Sequence, residues 1–568
     1  MSTLGQQLQK MEAHNSIFES AVRQLPLPVC RAFGSADKPQ AVCFEGTSRV
    51  LSTKDSASVA ASFPNSVKVS GNAVLTSSGA NARTEQGKRV AVLFSGGPAS
   101  GGHNVVCGLK RVLGAGNTLL GVKPGPKGLL QGNFFTITDA DVDSIINTGG
   151  FDFLGTDRTK IKTDEQFAQV KATCVKHSID AIVVIGGDDS NTNAAVLAEF
   201  LFKDVKADGS GVQVIGVPKT IDGDLQIGDL LPISFGFDTA TKIYSEMVGN
   251  ILQDTRSSLK YWHFIKLMGR SASHVTIEVA LQTKAAVTLI SEEVAASKQS
   301  LAFVVDQIAS AVIARSAKGI THGVVLVPEG LIEFIPEMNA LIAEINDAMA
   351  HNAAEFAETP YDAKADYIER QLSADNARLF ASLPGYVVKT MLADRDSHGN
   401  LQVSLIPTEQ LLVDMVKARV KQIDAKVPFG AHCHFLGYEG RCGAPTLFDA
   451  AYTYNLGLTA GSLILDGRSG YMATVTGLTA GGTPQAIPLT GLLNIERRHG
   501  HDEFVIEKAL VKMDSPAMAF FVARRAEWAA ADLFSSPGPR QLWGPAADQQ
   551  PISVALNSGC ESLAFRIG

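Results

Sequence analysis

Short apolar runs alternate with longer amphipathic stretches along the chain from Arg89 onward. Each run is too short for a helix and ends in glycine, proline or polar residues, which is typical of a buried parallel strand. The stretches between the runs have the length and periodicity of crossover helices. The pattern therefore predicts an α/β fold with parallel sheets, whose strands include RVAVLF, AIVVIGG, VQVIGVP, YWHFIKLMG, AAVTLIS and GVVLVPEG.

The segments outside this alternation differ from it in composition and in hydrophobic pattern. Residues 1 to about 30 carry apolar side chains at helical spacing and predict a helix, whereas about 35 to 87 are rich in Ser, Ala, Asn and Gly and predict a loose extension. Between about Leu331 and Pro428 the pattern is helical and charged, as in an inserted helical lobe. The tail, with SSPGPRQLWGPAADQQP, is predicted to be irregular and peripheral. The predicted segments are 1–88, 89–260, 261–330, 331–428, 429–510 and 511–568.

Composition narrows the class of protein. The 568 residues are 45% hydrophobic and 19% charged, so the chain can bury large cores and is expected to form two or more domains. A net charge of −7 without a basic block argues against a nucleic-acid surface. No signal peptide and no apolar run of about 18 residues is present, so we expect no membrane span. The seven cysteines form no CxxC pair, which favours buried thiols in a reducing compartment and a cytoplasmic location.

The run at Ala181 ends in Gly186-Gly187, and Asp188, Asp189 and Ser190 follow at once. These three residues are predicted to cap the next helix. Backbone N–H groups at such a turn suit an anion, while the carboxylates suit a hard cation such as Mg2+. The segment therefore predicts a magnesium-phosphate site, although an ordinary turn with an N-cap explains the same residues.

A second polar segment follows the buried strand predicted from Val212 to Val217. Pro218, Lys219, Thr220, Ile221, Asp222, Gly223 and Asp224 come at its carboxyl end, where ligands bind in open α/β sheets. In an extended conformation Asp222 and Asp224 face the same side, so they are predicted to divide the work of general base and metal support. Gly223 allows close approach of a substrate. The alternative is a solvated turn, but a lysine with two carboxylates costs more to desolvate than a turn requires.

Two further motifs bear on the chemistry. Ser95 to Asn104, SGGPASGGHN, contains Gly96, Gly97, Gly101 and Gly102 between a strand and a helix, which predicts a phosphate loop more than an ordinary turn. The loop lacks both the Lys-Ser/Thr of a P-loop and the GxGxxG spacing of a dinucleotide fold. His432-Cys433-His434 alternates as a strand does, with both histidines on one face, and is predicted to be a strand rather than a zinc site.

Taken together, the motifs occur in the order found in phosphofructokinases, and the chain from about 89 to 500 resembles the long, pyrophosphate-dependent branch of that family. They are SGGPASGGHN, FLGTDR, GGDDS, PKTIDGDL, FGFDTA, KYWHFIKLMGR, VPEG, LGYEGR and ERRHG. The resemblance implies two Rossmann-like three-layer α/β/α domains with a helical insertion and N- and C-terminal extensions. It also implies reversible, Mg2+-dependent transfer of a phosphoryl group from pyrophosphate to the 1-hydroxyl of fructose 6-phosphate.

The resemblance carries residue roles with it. Asp222 is implied as the general base, Asp224 as its support, Asp188 as the Mg2+ ligand and Arg158 as the arginine facing the transferred phosphate. Pyrophosphate contacts are implied for Gly97, Gly96 and Gly187. Fructose 6-phosphate contacts are implied for Thr220, Ile221, Asp222, Lys260, Tyr261, Met268, Gly269, Arg270, Glu329, Tyr438 and Arg441. For Arg270, Arg441 and Glu329 the alternative is surface ion pairing.

The choice of phosphoryl donor, pyrophosphate or ATP, is expected to depend on two side chains. ATP-using relatives generally have glycine where this chain has Asp189 and Lys219, so added bulk and negative charge are expected to obstruct a nucleotide. Lys219 is expected to stabilise charge passing from pyrophosphate to the sugar. An ATP-dependent enzyme is one alternative, and a regulatory subunit without catalytic carboxylates is another.

Self-association is implied as well, because the family's counterparts of Lys260 and Tyr261 reach the neighbouring subunit's substrate site. A dimer or tetramer with shared active sites is therefore expected. His432 stands where bacterial ATP-dependent relatives place an arginine from the neighbouring subunit, so that phosphate contact is expected to be weaker or absent.

Overall fold

The computed structural model describes residues 3–12, 16–36, 38–80, 86–203, 205–206, 209–393, 405–498, 501–538, 542–544 and 547–568. The chain forms two compact units. The first comprises Met1–Ala240, Tyr438–Ala509 and Arg540–Gly568, and the second comprises Thr241–Gly437 and Leu510–Pro539. The finer division predicted from the sequence stays a prediction.

Strands and helices alternate as the sequence predicts. The strands are β1 (Val42–Val50), β2 (Ala73–Ala80), β3 (Arg89–Ser95), β4 (Thr118–Val122), β5 (Phe134–Thr136), β6 (Thr156–Asp157), β7 (Ala181–Gly186), β8 (Gln213–Thr220), β9 (Phe235–Gly236), β10 (Tyr261–Leu267), β11 (Val287–Thr288), β12 (His322–Pro328), β13 (Ala431–Leu436), β14 (Tyr471–Thr476), β15 (Thr483–Pro488), β16 (Leu493–Arg498) and β17 (His501–Ile506). All six strands predicted from apolar runs are present.

The helices of the first unit are α1 (Leu4–Glu12), α2 (Ile17–Val22), α3 (Ser56–Ser62), α4 (Pro64–Ser70), α5 (Gly102–Leu113), α6 (Gly125–Gln131), α7 (Asp139–Ile145), α8 (Asp164–His177), α9 (Asp188–Phe200), α21 (Tyr438–Arg441), α22 (Leu447–Leu465) and α24 (Ile552–Asn557). Helix α10 (Phe237–Ser258) contains the boundary after residue 240. Those of the second unit are α11 (His274–Thr283), α12 (Ser291–Ala296), α13 (Leu301–Ser316), α14 (Leu331–Phe334), α15 (Pro336–His351), α16 (Ala353–Glu358), α17 (Lys364–Glu369), α18 (Ala374–Ser382), α19 (Gly385–Met391), α20 (Thr408–Ile423) and α23 (Pro516–Ala531).

The main sheet of the first unit has the order β1-β2-β15-β14-β8-β7-β3-β4-β5. Strands β14, β8, β7, β3 and β4 run parallel, and Val183 of β7 pairs with Ile215 of β8 and with Val92 of β3. These central strands are buried on both faces, which explains their unbroken apolar sequences. The carboxyl ends of β3, β7 and β8 therefore lie side by side at one edge of the sheet.

The prediction of a loose extension before Arg89 is wrong for much of that segment. Strand β1 pairs with β2, and β2 pairs with β15, so both belong to the main sheet. Val42 and Phe44 of β1 and Val74 of β2 are buried. The rest of β1 is mostly exposed, as is usual for a strand at the edge of a sheet. Because these exposed residues are mostly polar, the composition of the segment does not indicate a strand.

Helix α5 holds the segment after β3 against the core. It packs on the buried helix α22 at a point where a Cβ on Gly108 would lie 2.2 Å from the carbonyl oxygen of Tyr454. Only glycine permits this approach. The close crossing fixes where α5 begins, and with it the end of the glycine-rich loop.

The second unit contains a parallel sheet with the order β11-β12-β10-β13. Trp262 and Phe264 of β10 belong to its buried core, which also includes Leu411 and Val416 of α20. His432, Cys433 and His434 lie in β13, so the prediction of a strand there is confirmed. Between β12 and β13 the described elements are helices, α14 to α20 and a short 3-10 helix, joined by turns and loops. Among the described residues, no helix is long and apolar enough to cross a membrane.

Candidate active site

Polar segments follow three adjacent strands of the main sheet. Gly96 and Gly97 come directly after β3, Gly187 comes after β7, and Thr220 is the last residue of β8. The parallel registers of these strands bring the three segments together at one edge. This edge is where ligands bind in open α/β sheets, as the sequence predicts.

The turn after β7 is held by a buried amide. Asn191 donates from Nδ2 to the carbonyl oxygens of Gly186 at 2.7 Å and Gly187 at 2.9 Å. The N-cap of α9 is Gly187, without a side-chain capping bond, and the helix begins at Asp188. The prediction that Asp188, Asp189 and Ser190 cap this helix is therefore wrong by one position. They lie in its first turn, where the helix dipole favours negative charge.

Three cations surround the glycine turn after β3. A Cβ placed on Gly96 would lie 3.6 Å from Lys219 Nζ. A Cβ placed on Gly97 would lie 3.7 Å from Arg441 Nη1 and 3.8 Å from Arg158 Nη2. The positive groups thus converge from β8, from the segment after β6 and from α21. Such a cluster of cations around a glycine turn suits a phosphate.

Lys219 is the buried member of this cluster, with 7% of its surface exposed. The pKa of Lys219 is lowered to about 8: burial is the main cause, Asp222, Asp188 and Asp224 oppose the shift, and Arg158 adds to it. A lysine of this kind binds a phosphate as a desolvated point charge, because water competes little for its ammonium group.

The carboxylates lie on two segments. Asp188 is part-buried and Asp189 exposed in the first turn of α9. Burial raises the pKa of Asp188, Asp189 and Asp224 raise it further, and Lys508 lowers it. This pattern means that the negative groups lie close enough to repel one another.

The extended conformation expected between Asp222 and Asp224 is not formed. Residues 221–223 bend, and Gly223 has a φ of +72°, so spacing along the sequence does not decide which way the two carboxylates face. Asp222 donates from its backbone N–H to Thr220 Oγ1 at 3.0 Å. Asp224 is buried and pairs with Lys508, whose Nζ lies 3.5 Å from Asp224 Oδ2.

Two residues next to this site, Ser190 and Lys508, are not assigned to it as ligand-binding residues by the sequence analysis. Ser190 donates from Oγ to Ser95 Oγ at 2.8 Å and so joins the first turn of α9 to the end of β3. Lys508 follows β17 in a sequence, EKAL, that has no motif. Only the tertiary fold brings it to Asp224.

The carboxylates fit Mg2+ in the way that phosphate-transferring sites use it. Within the described residues, no group of three or more His, Cys, Asp or Glu side chains is arranged to hold a metal ion by itself. Mg2+ is usually bound by one or two carboxylates together with substrate phosphates and water. Asp188, beside the phosphate-binding turn, is a suitable ligand of that kind.

The second unit brings together the predicted sugar-phosphate residues that follow β10 and β12. Gly269 donates from its backbone N–H to Glu329 Oε2 at 2.8 Å. Glu329 is 4% exposed, and burial raises its pKa, whereas the bond from Gly269 and the charges of Lys266 and Arg270 lower it. Arg270 itself is exposed. A buried carboxylate acceptor beside an exposed guanidinium suits a ligand that carries both hydroxyl and phosphate groups.

Lys260 and Tyr261 lie at the opposite end of β10 from Met268, Gly269 and Arg270. The strand has seven residues and spans roughly 20 Å. Tyr261 is 40% exposed with a φ of +72°, and the Lys260 ammonium lies 5.1 Å from its ring centroid. The two groups of predicted sugar-phosphate residues on β10 are therefore too far apart to bind one sugar phosphate together.

Tyr438 and Arg441 lie in the first unit. The Arg441 guanidinium is 4.7 Å from the Tyr438 ring centroid, and Tyr438 is 66% exposed. Arg441 lies beside Gly97 and Arg158, so it belongs to the cluster of cations around the glycine turn. Thr220 and Ile221 complete the predicted set, and the Ile221 side chain is buried. The sugar contacts of all four residues stay predictions.

The fold and this cluster define an α/β protein with a group of cationic side chains at the carboxyl ends of parallel strands. Residues 89–464 match the family model described as Phosphofructokinase. The chain is 49% identical over 485 residues to the pyrophosphate--fructose 6-phosphate 1-phosphotransferase of Treponema pallidum, covering 83% of this chain and 84% of the relative. It is 45% identical over 490 residues to the Entamoeba histolytica protein of the same name, covering 84% and 88%.

A solved structure shows the same fold. The pyrophosphate-dependent phosphofructokinase from Nitrosospira multiformis matches with a TM-score of 0.52 and 16% identity, covering 85% of this chain and 98% of that one. With more than half of its length matched by the family model, the chain belongs to the phosphofructokinase family.

Proposed function

We propose that this chain transfers a phosphoryl group reversibly between pyrophosphate and the 1-hydroxyl of fructose 6-phosphate, giving fructose 1,6-bisphosphate and phosphate. The observation that carries the proposal is the buried Lys219, directed at the glycine turn beside Arg158 and Arg441. The relatives at 45–49% identity bear the name of this activity. The charges fit a compact, highly anionic donor.

Asp222 acts as the general base in this proposal. It takes the proton from the 1-hydroxyl, the oxygen attacks the terminal phosphorus of pyrophosphate, and the bond to the leaving phosphate breaks. Lys219, Arg158 and Arg441 neutralise charge on the transferred group, which is the main source of catalysis in phosphoryl transfer. Gly96, Gly97 and Gly187 leave room for the phosphates to approach the backbone.

Mg2+ belongs to the proposal as well. When bound, it neutralises pyrophosphate oxygens and orients them for transfer. Asp188 is the proposed ligand, with Asp189 and Asp224 close enough to alter its pKa. Asp224 is proposed to support both the metal and the base.

Donor selection is proposed to depend on Asp189 and Lys219. Asp189 is exposed in the first turn of α9, where it adds negative charge beside the phosphate site. A longer polyphosphate with an adenosine group meets both this charge and the Lys219 side chain. Pyrophosphate has no adenosine group, so it needs no space beyond the glycine turn.

Sugar-phosphate binding is proposed for Met268, Gly269, Arg270 and Glu329. Because Lys260 and Tyr261 lie at the far end of β10, we propose that they serve a neighbouring copy of the chain. The active form is then a dimer or tetramer with shared sites. None of the seven cysteines, all of them among the described residues, forms a disulfide, which supports a reducing, cytoplasmic location.

Product analysis tests the activity. The purified chain, given Mg2+, pyrophosphate and fructose 6-phosphate, is expected to form fructose 1,6-bisphosphate and one phosphate per turnover, detected by phosphorus NMR. The reverse reaction is expected to consume phosphate and form pyrophosphate. Hydrolysis of pyrophosphate without sugar phosphorylation would contradict the proposal.

The pKa of Lys219 predicts a pH effect on the donor. Its ammonium form is present below about 8 and is lost as the pH rises through that value. Because the charged form binds phosphate, kcat/KM for pyrophosphate is expected to fall as the pH rises from about 7.5 to 9.5. Measuring kcat/KM for pyrophosphate against pH, at saturating sugar phosphate, checks this.

A Lys219→Arg variant is the control, because a guanidinium stays charged over this range. Its pH profile should lack the fall assigned to Lys219 and show only the ionisation of pyrophosphate. Identical pH profiles for the two proteins would show that Lys219 does not bind the donor through its charge.

A further inference from the structure

A β-hairpin beyond the region matched by the family model, together with the residues that follow it, contacts three segments around the phosphate site. Strands β16 and β17 pair antiparallel, with Ile495 opposite Phe504. The matched region ends at residue 464, so the hairpin and residues 507–509 after it lie outside that match. All of them belong to the first unit.

The hairpin is bonded to two of the site's segments. Glu503 of β17 pairs with Lys160 at 3.1 Å and with Lys162 at 3.4 Å, directly after Arg158. Ile506 donates from its backbone N–H to Thr192 Oγ1 at 3.0 Å. Thr192 belongs to α9, whose first turn carries Asp188 and Asp189. The hairpin thus connects the arginine segment to the helix that carries the acidic residues.

The third connection is to the segment that carries the proposed base. Ala509 donates from its backbone N–H to the carbonyl oxygen of Asp224 at 2.7 Å. Lys508 Nζ lies 3.5 Å from Asp224 Oδ2, and the Asp224 side chain is only 5% exposed. The backbone bond and the ion pair fix Asp224 at two points. Removing one partner of a buried ion pair is strongly destabilising, so Lys508 constrains where the Asp224 side chain can lie.

We infer that Lys508 is a positioning residue of the pyrophosphate site and that residues 493–498 and 501–509 form the brace that holds it there. Lys508 acts through Asp224, which is two residues from Asp222 and accepts a backbone hydrogen bond from Ala509. The inference rests on the proposed function, because it assigns the braced segments to one donor site. It adds a residue that no motif of the sequence indicates.

A structural ion pair is the competing explanation, and it predicts different behaviour. If Lys508 only stabilised the fold, its loss would lower the melting temperature and leave the kinetic constants of the folded fraction unchanged. If it positions Asp224, its loss changes the use of pyrophosphate selectively. Residues that orient a ligand-binding group in this way typically change affinity or activity about 10- to 100-fold.

Three variants separate these explanations. Lys508→Gln removes the charge, Lys508→Arg keeps it, and Lys512→Gln removes an exposed lysine four residues further along. Each variant is tested by steady-state kinetics with both substrates, by calorimetric titration of Mg2+-pyrophosphate without sugar, and by thermal unfolding.

For Lys508→Gln we expect kcat/KM for pyrophosphate and the calorimetric affinity to fall about 10- to 100-fold, with KM for fructose 6-phosphate within about twofold. Lys508→Arg should recover most of the loss, and Lys512→Gln should match the unsubstituted protein. Unchanged pyrophosphate affinity in folded Lys508→Gln, or equal losses for both substrates, would overturn the inference. If the unsubstituted protein binds pyrophosphate without transferring it, the proposed function fails while the titration still tests Lys508.

Discussion

Replacing Asp222 with serine is expected to lower kcat by about 10²- to 10⁴-fold, the range that a positioned general base contributes. Serine keeps a small polar side chain after Thr220 but cannot take the proton from the sugar hydroxyl at neutral pH. KM for fructose 6-phosphate should stay within about threefold, because the loss is confined to the transition state. Steady-state kinetics in the direction of fructose 1,6-bisphosphate formation measures both values.

Asp229→Ser is the matched control for this variant. Asp229 lies seven residues further along the same loop, with its side chain 77% exposed and paired with Arg49 at 2.8 Å. An exposed ion pair contributes little, so kcat should change less than about twofold. If Asp222→Ser lost no more activity than Asp229→Ser, Asp222 would not be the base.

The double variant Asp189→Gly with Lys219→Gly is expected to lower kcat with pyrophosphate by about 10²- to 10³-fold, as loss of one preorganised charge does at other sites. Lys219 supplies a buried cation next to Gly96, and glycine leaves that charge missing. Removing Asp189 at the same time relieves repulsion of a longer polyphosphate. Activity with ATP should therefore become detectable.

Asp164→Gly controls for the loss of an acidic residue in a helix first turn. Asp164 is exposed at the start of α8 and has no part in the phosphate site. Its replacement weakens a helix N-terminus in the same way as Asp189→Gly. Both kinetic constants for pyrophosphate should remain unchanged in this variant.

Much of this fold can be predicted from the sequence, because its central strands are buried on both faces. Strands β3, β7 and β8 are unbroken apolar runs ending in glycine or charged residues. Parallel strands place such ends at one edge, so the sequence alone assigns Gly97, Asp188 and Lys219 to one site. Gly269 and Glu329, which follow β10 and β12, are grouped in the sequence analysis only by the family resemblance.

Other features depend on contacts that local sequence does not encode. Strand β1 exposes most of its residues at a sheet edge, so its composition indicates a loop. The relation between Asp222 and Asp224 depends on the positive φ of Gly223 rather than on strand periodicity. Lys508 is far from Asp224 along the chain and reaches it through a hairpin, and a single lysine has no motif.

The most direct measurement compares the two phosphate donors on the unsubstituted protein. Fructose 1,6-bisphosphate formation is followed with Mg2+-pyrophosphate and with Mg2+-ATP offered separately at the same pH. The buried Lys219 and the exposed Asp189 predict that kcat/KM for pyrophosphate exceeds that for ATP by more than about a hundredfold. Equal use of both donors, or a preference for ATP, would contradict the assignment of donor choice to these two side chains.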